Sequence, residues 1–253
     1  MIMKRKEVRL NTIVPNFVTF AAAASGLTSI RFTVEGRYEL AILAVLIAAV
    51  LDGMDGRIAR MMRGGSQFGV ELDSLSDFLN FGIAPAFILY SWSLYNLNSI
   101  GWAIAIFLAL CCEMRLARFN TMLSDTVPPY WKNFFMGMPA PLGGLISLSP
   151  VMMYLYDERP IWADPYVIAG FALVSGALMA SRIPTLSLKR LKVDSRYLFP
   201  LFLAAMAMVG ALCTRPWLTL GGFFILYVAC VPLMGLYFLK AKLKYERERA
   251  KAE

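Results

Sequence analysis

The chain has 253 residues, 58% of them hydrophobic, and a mean hydropathy of +0.59, too apolar for a soluble domain of this size. It carries 25 Lys and Arg against 17 Asp and Glu, a net charge of +8, and no histidine. The lack of histidine excludes a Ser/His triad, a histidine base and a His-ligated zinc site, so proton chemistry must come from other groups.

Apolar runs predict an all-α, polytopic integral membrane helix bundle of about eight transmembrane helices, over residues 12–33, 38–60, 70–94, 99–120, 137–156, 165–181, 198–213 and 219–239. With a cytoplasmic N-terminus, one side of that bundle holds every basic residue except Arg31, Arg37, Arg159 and Arg215. This is the positive-inside pattern, and an even number of spans returns both termini to the cytoplasm. The basic balance therefore reports topology in a cell (inner) membrane, with attraction to anionic lipid heads second and no nucleic-acid partner. No linker, low-complexity tract or repeat divides residues 1–253, which predicts a single domain.

In the first span, "AAAASG" (21–26) looks like a leader cleavage site, but Pro15 and Asn16 leave little uncut apolar run before it. It reads better as a span whose small residues allow close helix contact. The second span runs apolar from Leu40 to Leu51 and then turns polar, so Asp52 and Asp55 fall at its cytoplasmic end, three residues apart. Gly64 and Gly65 break the helix, and a third span beginning near Gly69 or Val70 carries Asp73 and Asp77, four apart on one face. Two antiparallel neighbours would thus bring four carboxylates to one depth near the cytoplasmic surface. Like charges in so poor a solvent protonate or repel unless a cation sits among them. With no His or Cys in the set, the oxygens favour Mg²⁺ first and Mn²⁺ second, as one ion or two.

Intramembrane acids also mark ion and proton pathways, so a cation or proton transporter is the competing class. The residues between the acids weigh against it. Gly53, Gly56 and Ala59 are small, leaving room for a ligand along the helix backbone, and Arg60, one turn beyond Gly56, offers a fork suited to a phosphate. Carboxylates, metal and arginine form a phosphoryl-transfer set.

Farther on, Glu113 follows an uncharged run from Gly101 to Cys112, with Arg115 and Arg118 at the same cytoplasmic end. The arginines read either as topology anchors or as a clamp for a carboxylate or phosphate; Glu113 either pairs with one of them or binds an amino group. The stretch Met136–Pro141, with two prolines and a glycine, reads as irregular backbone, which at membrane depth must be buried in protein or line a cavity. Cys111, Cys112, Cys213 and Cys230 lack metal-site spacing and read as small buried hydrophobes. Small residues in the sixth span, among them Gly170, Ser175 and Gly176, could serve a helix contact or a dimer. The tail from Lys240 onward reads as a solvated extension of the last span.

Written out, Asp52-x-x-Asp55-Gly56-x-x-Ala59-Arg60, eight residues, then Gly69-x-x-x-Asp73-x-x-x-Asp77 resembles the signature of the CDP-alcohol phosphotransferase family. Within it, "EMRLARFN" (113–120) and "KNFFMGMPAPLGG" (132–144) resemble segments of the bacterial-type phosphatidylserine synthase subgroup, with Met138 and Leu142 departing conservatively. "PNFVTF" (15–20) is similar to the family's entry helix, although Ala22 or Ala23 stands where an arginine often follows the threonine. The resemblance covers roughly residues 12–180. It implies a membrane enzyme taking CDP-diacylglycerol and L-serine to phosphatidylserine and CMP, with Mg²⁺ or Mn²⁺ at two sites and a homodimer in the lipid bilayer. Asp52, Asp55, Asp73 and Asp77 would be metal ligands, with Asp77 also the base for the incoming hydroxyl; Gly56, Ala59, Arg60 and Gly69 would form the nucleotide pocket. Glu113, Arg115, Arg118 and Asn133 would contact the acceptor or the lipid phosphate. The signature itself serves every acceptor of the family, so choline, inositol or glycerol 3-phosphate remains open beside serine.

Overall fold

The computed structural model describes residues 10–61, 67–122, 134–186 and 198–249. Helix α1 (Leu10–Val34) turns through Glu35, Gly36 and Arg37 into α2 (Tyr38–Met61), and the two lie along each other as a hairpin. Gly36 takes φ +73° in that turn, a conformation open to glycine at no steric cost. The same turn is held by charge: Glu35 accepts from Arg31 at 2.8 Å and faces Arg37 at 3.4 Å. The Arg31 hydrogen bond keeps the Glu35 carboxyl below the usual carboxylate range.

The third passage is not one regular helix. α3 (Gln67–Asp77) passes at once into a π-helical segment (Phe78–Ile83) and then into α4 (Ala84–Trp92), all in one apolar stretch. A 3₁₀ turn (Leu94–Leu97) leads to α5 (Asn98–Met122), which runs back beside it. The fifth passage, expected as one helix over 137–156, is two: α6 (Ala140–Ser147) and α7 (Ser149–Asp157). Pro150 in the first turn of α7 has no N–H to continue the ladder, while Ser147 and Ser149 donate back to the carbonyls of Gly144 and Ile146.

α8 (Pro165–Ala180) begins at a capped end: Asp164 Oδ1 accepts from the backbone N–H groups of Tyr166 and Val167, at 2.8 and 3.2 Å, and Pro165 fills the first turn. α9 (Leu198–Thr214) and the long α10 (Pro216–Arg249) complete the chain, the latter carrying the basic tail as helix. The all-helical expectation needs one amendment. Strand β1 (Phe134–Met136) pairs antiparallel with β2 (Pro184–Leu186), Phe135 opposite Thr185, and clips the start of α6 to the end of α8.

The core lies where α2, the π segment, α4, α5, α6 and α8 meet, around Ile42, Phe81, Ile88, Leu108, Ile146 and Met179. Small residues set the spacing there. A Cβ at Gly144 would stand 2.9 Å from the Phe81 carbonyl oxygen, so α6 touches the π segment backbone to backbone. Among the described residues, four helical stretches are long and apolar enough to cross a bilayer: Asn16–Val34, Gln67–Trp92, Leu94–Thr121 and Pro216–Gly235. Pro165–Ala180 and Leu198–Thr214 are shorter apolar helices.

Candidate active site

α2 and α3 deliver acids to one place. Asp52, near the end of α2, and Asp73 and Asp77, one helical turn apart on α3, each offer a carboxylate oxygen within 4.8 Å of the others. Asp52 and Asp77 are within hydrogen-bonding reach, and Asp77 is the most buried of the three. One Asp77 oxygen, Oδ1, is buried with no hydrogen-bond partner. An orphan carboxylate oxygen beside two further carboxylates is costly in hydrocarbon, and its cost falls only if a proton or cation joins it. A donor set of oxygens alone fits a hard divalent ion such as Mg²⁺ or Mn²⁺.

α3 is anchored so that these acids keep their aim. It packs along α1, where Ser76 Oγ donates to the Thr19 carbonyl at 3.3 Å and accepts from Asn80 Nδ2 at 3.1 Å. Asn80 is fully buried inside the π segment, against Gly26 of α1. The extra residue of a π turn rotates the downstream helix relative to a regular one, so Asp77 and the core residues of α4 can each face their own partners. On the other side, Ser74 and Asn120 of α5 share a hydrogen bond, Nδ2 to Oγ at 3.0 Å.

Among the described residues, Arg115 of α5 is a cation beside these acids. Its guanidinium lies within charge–charge range of Asp52, Asp73 and Asp77 and rests 5.6 Å from the centre of the Phe119 ring. Arg118 has a different attachment: its Nη1 donates to the carbonyls of Ala180 and Ser181, at 2.8 and 3.2 Å, capping the end of α8. Glu113 is exposed, about 200° around the helix from Arg115, and makes no ion pair with Arg115 or Arg118 among the described residues.

Gly53 and Gly56 line the same end of α2, and a Cβ on either would meet nothing within 4 Å, so the backbone there is open to a ligand. Gly69 stands one turn before Asp73, in α3. Asp55, Ala59 and Arg60 lie on the α2 backbone, their side chains outside the described residues; Gly64, Gly65 and Asn133 lie outside them altogether. The convergence expected of four carboxylates is thus described for three.

Ser74, Ser76, Asn80 and Thr19 do not stand out in the sequence as site residues. Serines placed between Asp73 and Asp77, in a helix already rich in acid, are the available signal, as is the asparagine that closes "RLARFN".

A family model described as CDP-alcohol phosphatidyltransferase matches residues 12–188, well over half of the chain and the whole of this acid site. The chain belongs to the CDP-alcohol phosphatidyltransferase family. Other members fall close to it. A CDP-diacylglycerol–serine O-phosphatidyltransferase of Mycobacterium leprae is 35% identical over 90% of this chain and 76% of its own length. The enzyme of that name from Helicobacter pylori strain J99 is 30% identical over 93% of this chain and 96% of its own. An archaetidylserine synthase of Methanothermobacter thermautotrophicus is 30% identical over 62% of this chain and 65% of its own. As a CDP-alcohol phosphatidyltransferase, the chain carries the family's acid cluster on its second and third helical passages, a cluster that could hold divalent ions.

Proposed function

We propose that this chain is an integral membrane phosphatidyltransferase that makes phosphatidylserine and CMP from CDP-diacylglycerol and L-serine. The observation that carries the reading is the meeting of Asp52, Asp73 and Asp77 with Arg115 at one end of an apolar bundle. Serine as acceptor is supported by the relatives, which bear serine transferase names from bacteria to an archaeon.

In the net reaction the serine hydroxyl oxygen forms a bond to the phosphorus that carries the diacylglycerol. The bond from that phosphorus to the CMP oxygen breaks, and CMP leaves with the electron pair. A serine hydroxyl is a feeble nucleophile at neutral pH, so its proton needs a positioned acceptor. Asp77 fills that role: it is the deepest of the three acids in α3 and presents an unpartnered oxygen. Asp52, Asp55 and Asp73, with Asp77, would hold one or two divalent ions. A bound Mg²⁺ or Mn²⁺ supplies charge stabilisation on the pyrophosphate. Arg115 adds a fixed cation facing the same phosphates. The open backbone at Gly53 and Gly56 would face the cytidine nucleotide, with Ala59, Arg60 and Gly69 as the further expected contacts. Glu113, Arg118 and Asn133 remain candidates for the acceptor side, Arg118 through the nitrogens not used on α8.

The helical passages correspond to eight crossings, with both termini and the acid site at the cytoplasmic face of the cell membrane, acting as a homodimer. At the far end of the bundle Tyr38, Trp92 and Tyr154 stack edge to face, as do Tyr90 and Trp102, in the manner of an interfacial aromatic belt, which supports a crossing that ends there; the bias of basic residues supports the orientation.

The test is release of CMP from CDP-diacylglycerol by the purified chain with Mg²⁺ or Mn²⁺ and a panel of alcohols. Release with serine above choline, inositol and glycerol 3-phosphate is expected, and EDTA abolishes it. Release with another alcohol alone would move the acceptor, and none with any alcohol would overturn the class.

A further inference from the structure

Of the segment Glu113–Asn120, the last residue has no part in the chemistry above. Asn120 joins α5 to the acid helix: Nδ2 reaches Ser74 Oγ at 3.0 Å, and Oδ1 lies 3.3 Å from the same hydroxyl. Ser74 stands between Asp73 and Asp77, and Asn120 follows Phe119, the ring on which the Arg115 guanidinium rests. The two ends of this contact therefore belong to the two halves of the site, acids on α3 and arginine on α5. α3 is already fixed on its other flank, by α1 and the Ser76–Thr19 bond. The Asn120–Ser74 pair adds a direct tie between α5 and α3 at this end, beyond the packing of α5 on the π segment. A single neutral hydrogen bond at a half-buried site adds little to stability. A charge interaction across it, however, changes with every ångström of separation.

We propose that Asn120 is a positioning residue, whose hydrogen bond to Ser74 holds the end of α5 against α3 so that Arg115 stays over the acid cluster. Its benefit to phosphate transfer rests on the function proposed above; its control of Arg115 does not. The bond acts as a spacer: Phe119 forms the shelf, Asn120 the tie, and Arg115 the group whose place is set.

The test is a double-mutant cycle on the purified full chain in lipid nanodiscs: unaltered protein, Asn120→Ala, Arg115→Ala and the pair together. Two quantities are read, Mn²⁺ affinity from the resonance of free Mn²⁺, and CMP release with serine. With the tie cut, the arginine charge drifts from the carboxylates. Mn²⁺ then binds about threefold or more tightly, while kcat falls about tenfold and melting temperature stays unchanged. Both changes vanish when residue 115 is already alanine, which a residue serving stability alone would not produce. Ser74→Ala cuts the same bond from the other side, so it reproduces Asn120→Ala and carries the test if that variant fails to fold. Equal Mn²⁺ affinity in all four proteins, or effects that simply add, would overturn the proposal. If the unaltered protein releases no CMP with any alcohol, the proposed function falls, and the Mn²⁺ cycle still decides the role of Asn120.

Discussion

In the proposed reaction Asp77 combines two demands in one side chain, since it would share the ligand cluster with Asp52 and Asp73 and would also take a proton. Its neutral isostere separates them. Asp77→Asn keeps the shape and most of the oxygen ligands, so CDP-diacylglycerol binding, followed by equilibrium dialysis of the labelled lipid in detergent, should stay measurable. Turnover should fall about 10²–10⁴-fold, the usual loss with a general base. Retained turnover would remove Asp77 from that role. Gly26 is a second residue with a definite expectation. A Cβ there would overlap Asn80 Oδ1 and stand 3.1 Å from its Cγ, and Asn80 is fully buried and cannot swing away. Gly26→Ala should cost about 1–3 kcal/mol, as overpacking does, visible as a lower melting temperature in detergent with the metal site still formed.

Among the elements, the π segment Phe78–Ile83 decides most, because it separates the register of the acids from the register of the core. Deleting Leu79 should restore a regular helix and turn α3 by about 100° relative to α4. If α4 keeps its packing, Asp73 and Asp77 then leave Asp52, and Mn²⁺ affinity drops at least about tenfold; unchanged affinity would show that the segment has no such part. This element is not legible in the sequence. Its residues, "FLNFGI", are as apolar as any regular helix, and the one polar residue, Asn80, gives no sign that its partner is Ser76 of the preceding turn. Legible features are those that depend on spacing along one helix: Asp73 and Asp77 on one face of α3, and the short turn between the spans that become α1 and α2. Illegible ones depend on partners distant in sequence. Spacing alone groups Arg118 with Arg115 as a clamp, yet the structure turns one of its nitrogens to the end of α8, 62 residues away. The break at Leu148 is hidden because Pro150 sits in a long apolar run, and two serines absorb its effect.

At the scale of the whole molecule, charge and aromatic residues divide the bundle into two ends. Arg57, Arg115, Arg118 and Arg182 lie toward the acid site, and the turn with Arg31, Glu35 and Arg37 lies at the other end with the Tyr38–Trp92–Tyr154 cluster. With the native cysteines, among them the exposed Cys213, replaced by serine or alanine, a cysteine introduced at Glu35 or Thr214 should react with a membrane-impermeant maleimide from outside intact cells. One at Glu71, exposed in the second turn of α3, should react only after the cells are opened. The reverse pattern would invert the orientation. The proposed catalysis requires above all that metal held by the acids also touch the nucleotide's phosphates. Electron–nuclear double resonance of phosphorus-31 on the Mn²⁺-loaded protein measures that contact. Addition of CDP-diacylglycerol should produce a phosphorus coupling to the bound Mn²⁺, lost with Asp52→Asn or Asp73→Asn; bound Mn²⁺ that feels no phosphorus, or no bound Mn²⁺ at all, would contradict it.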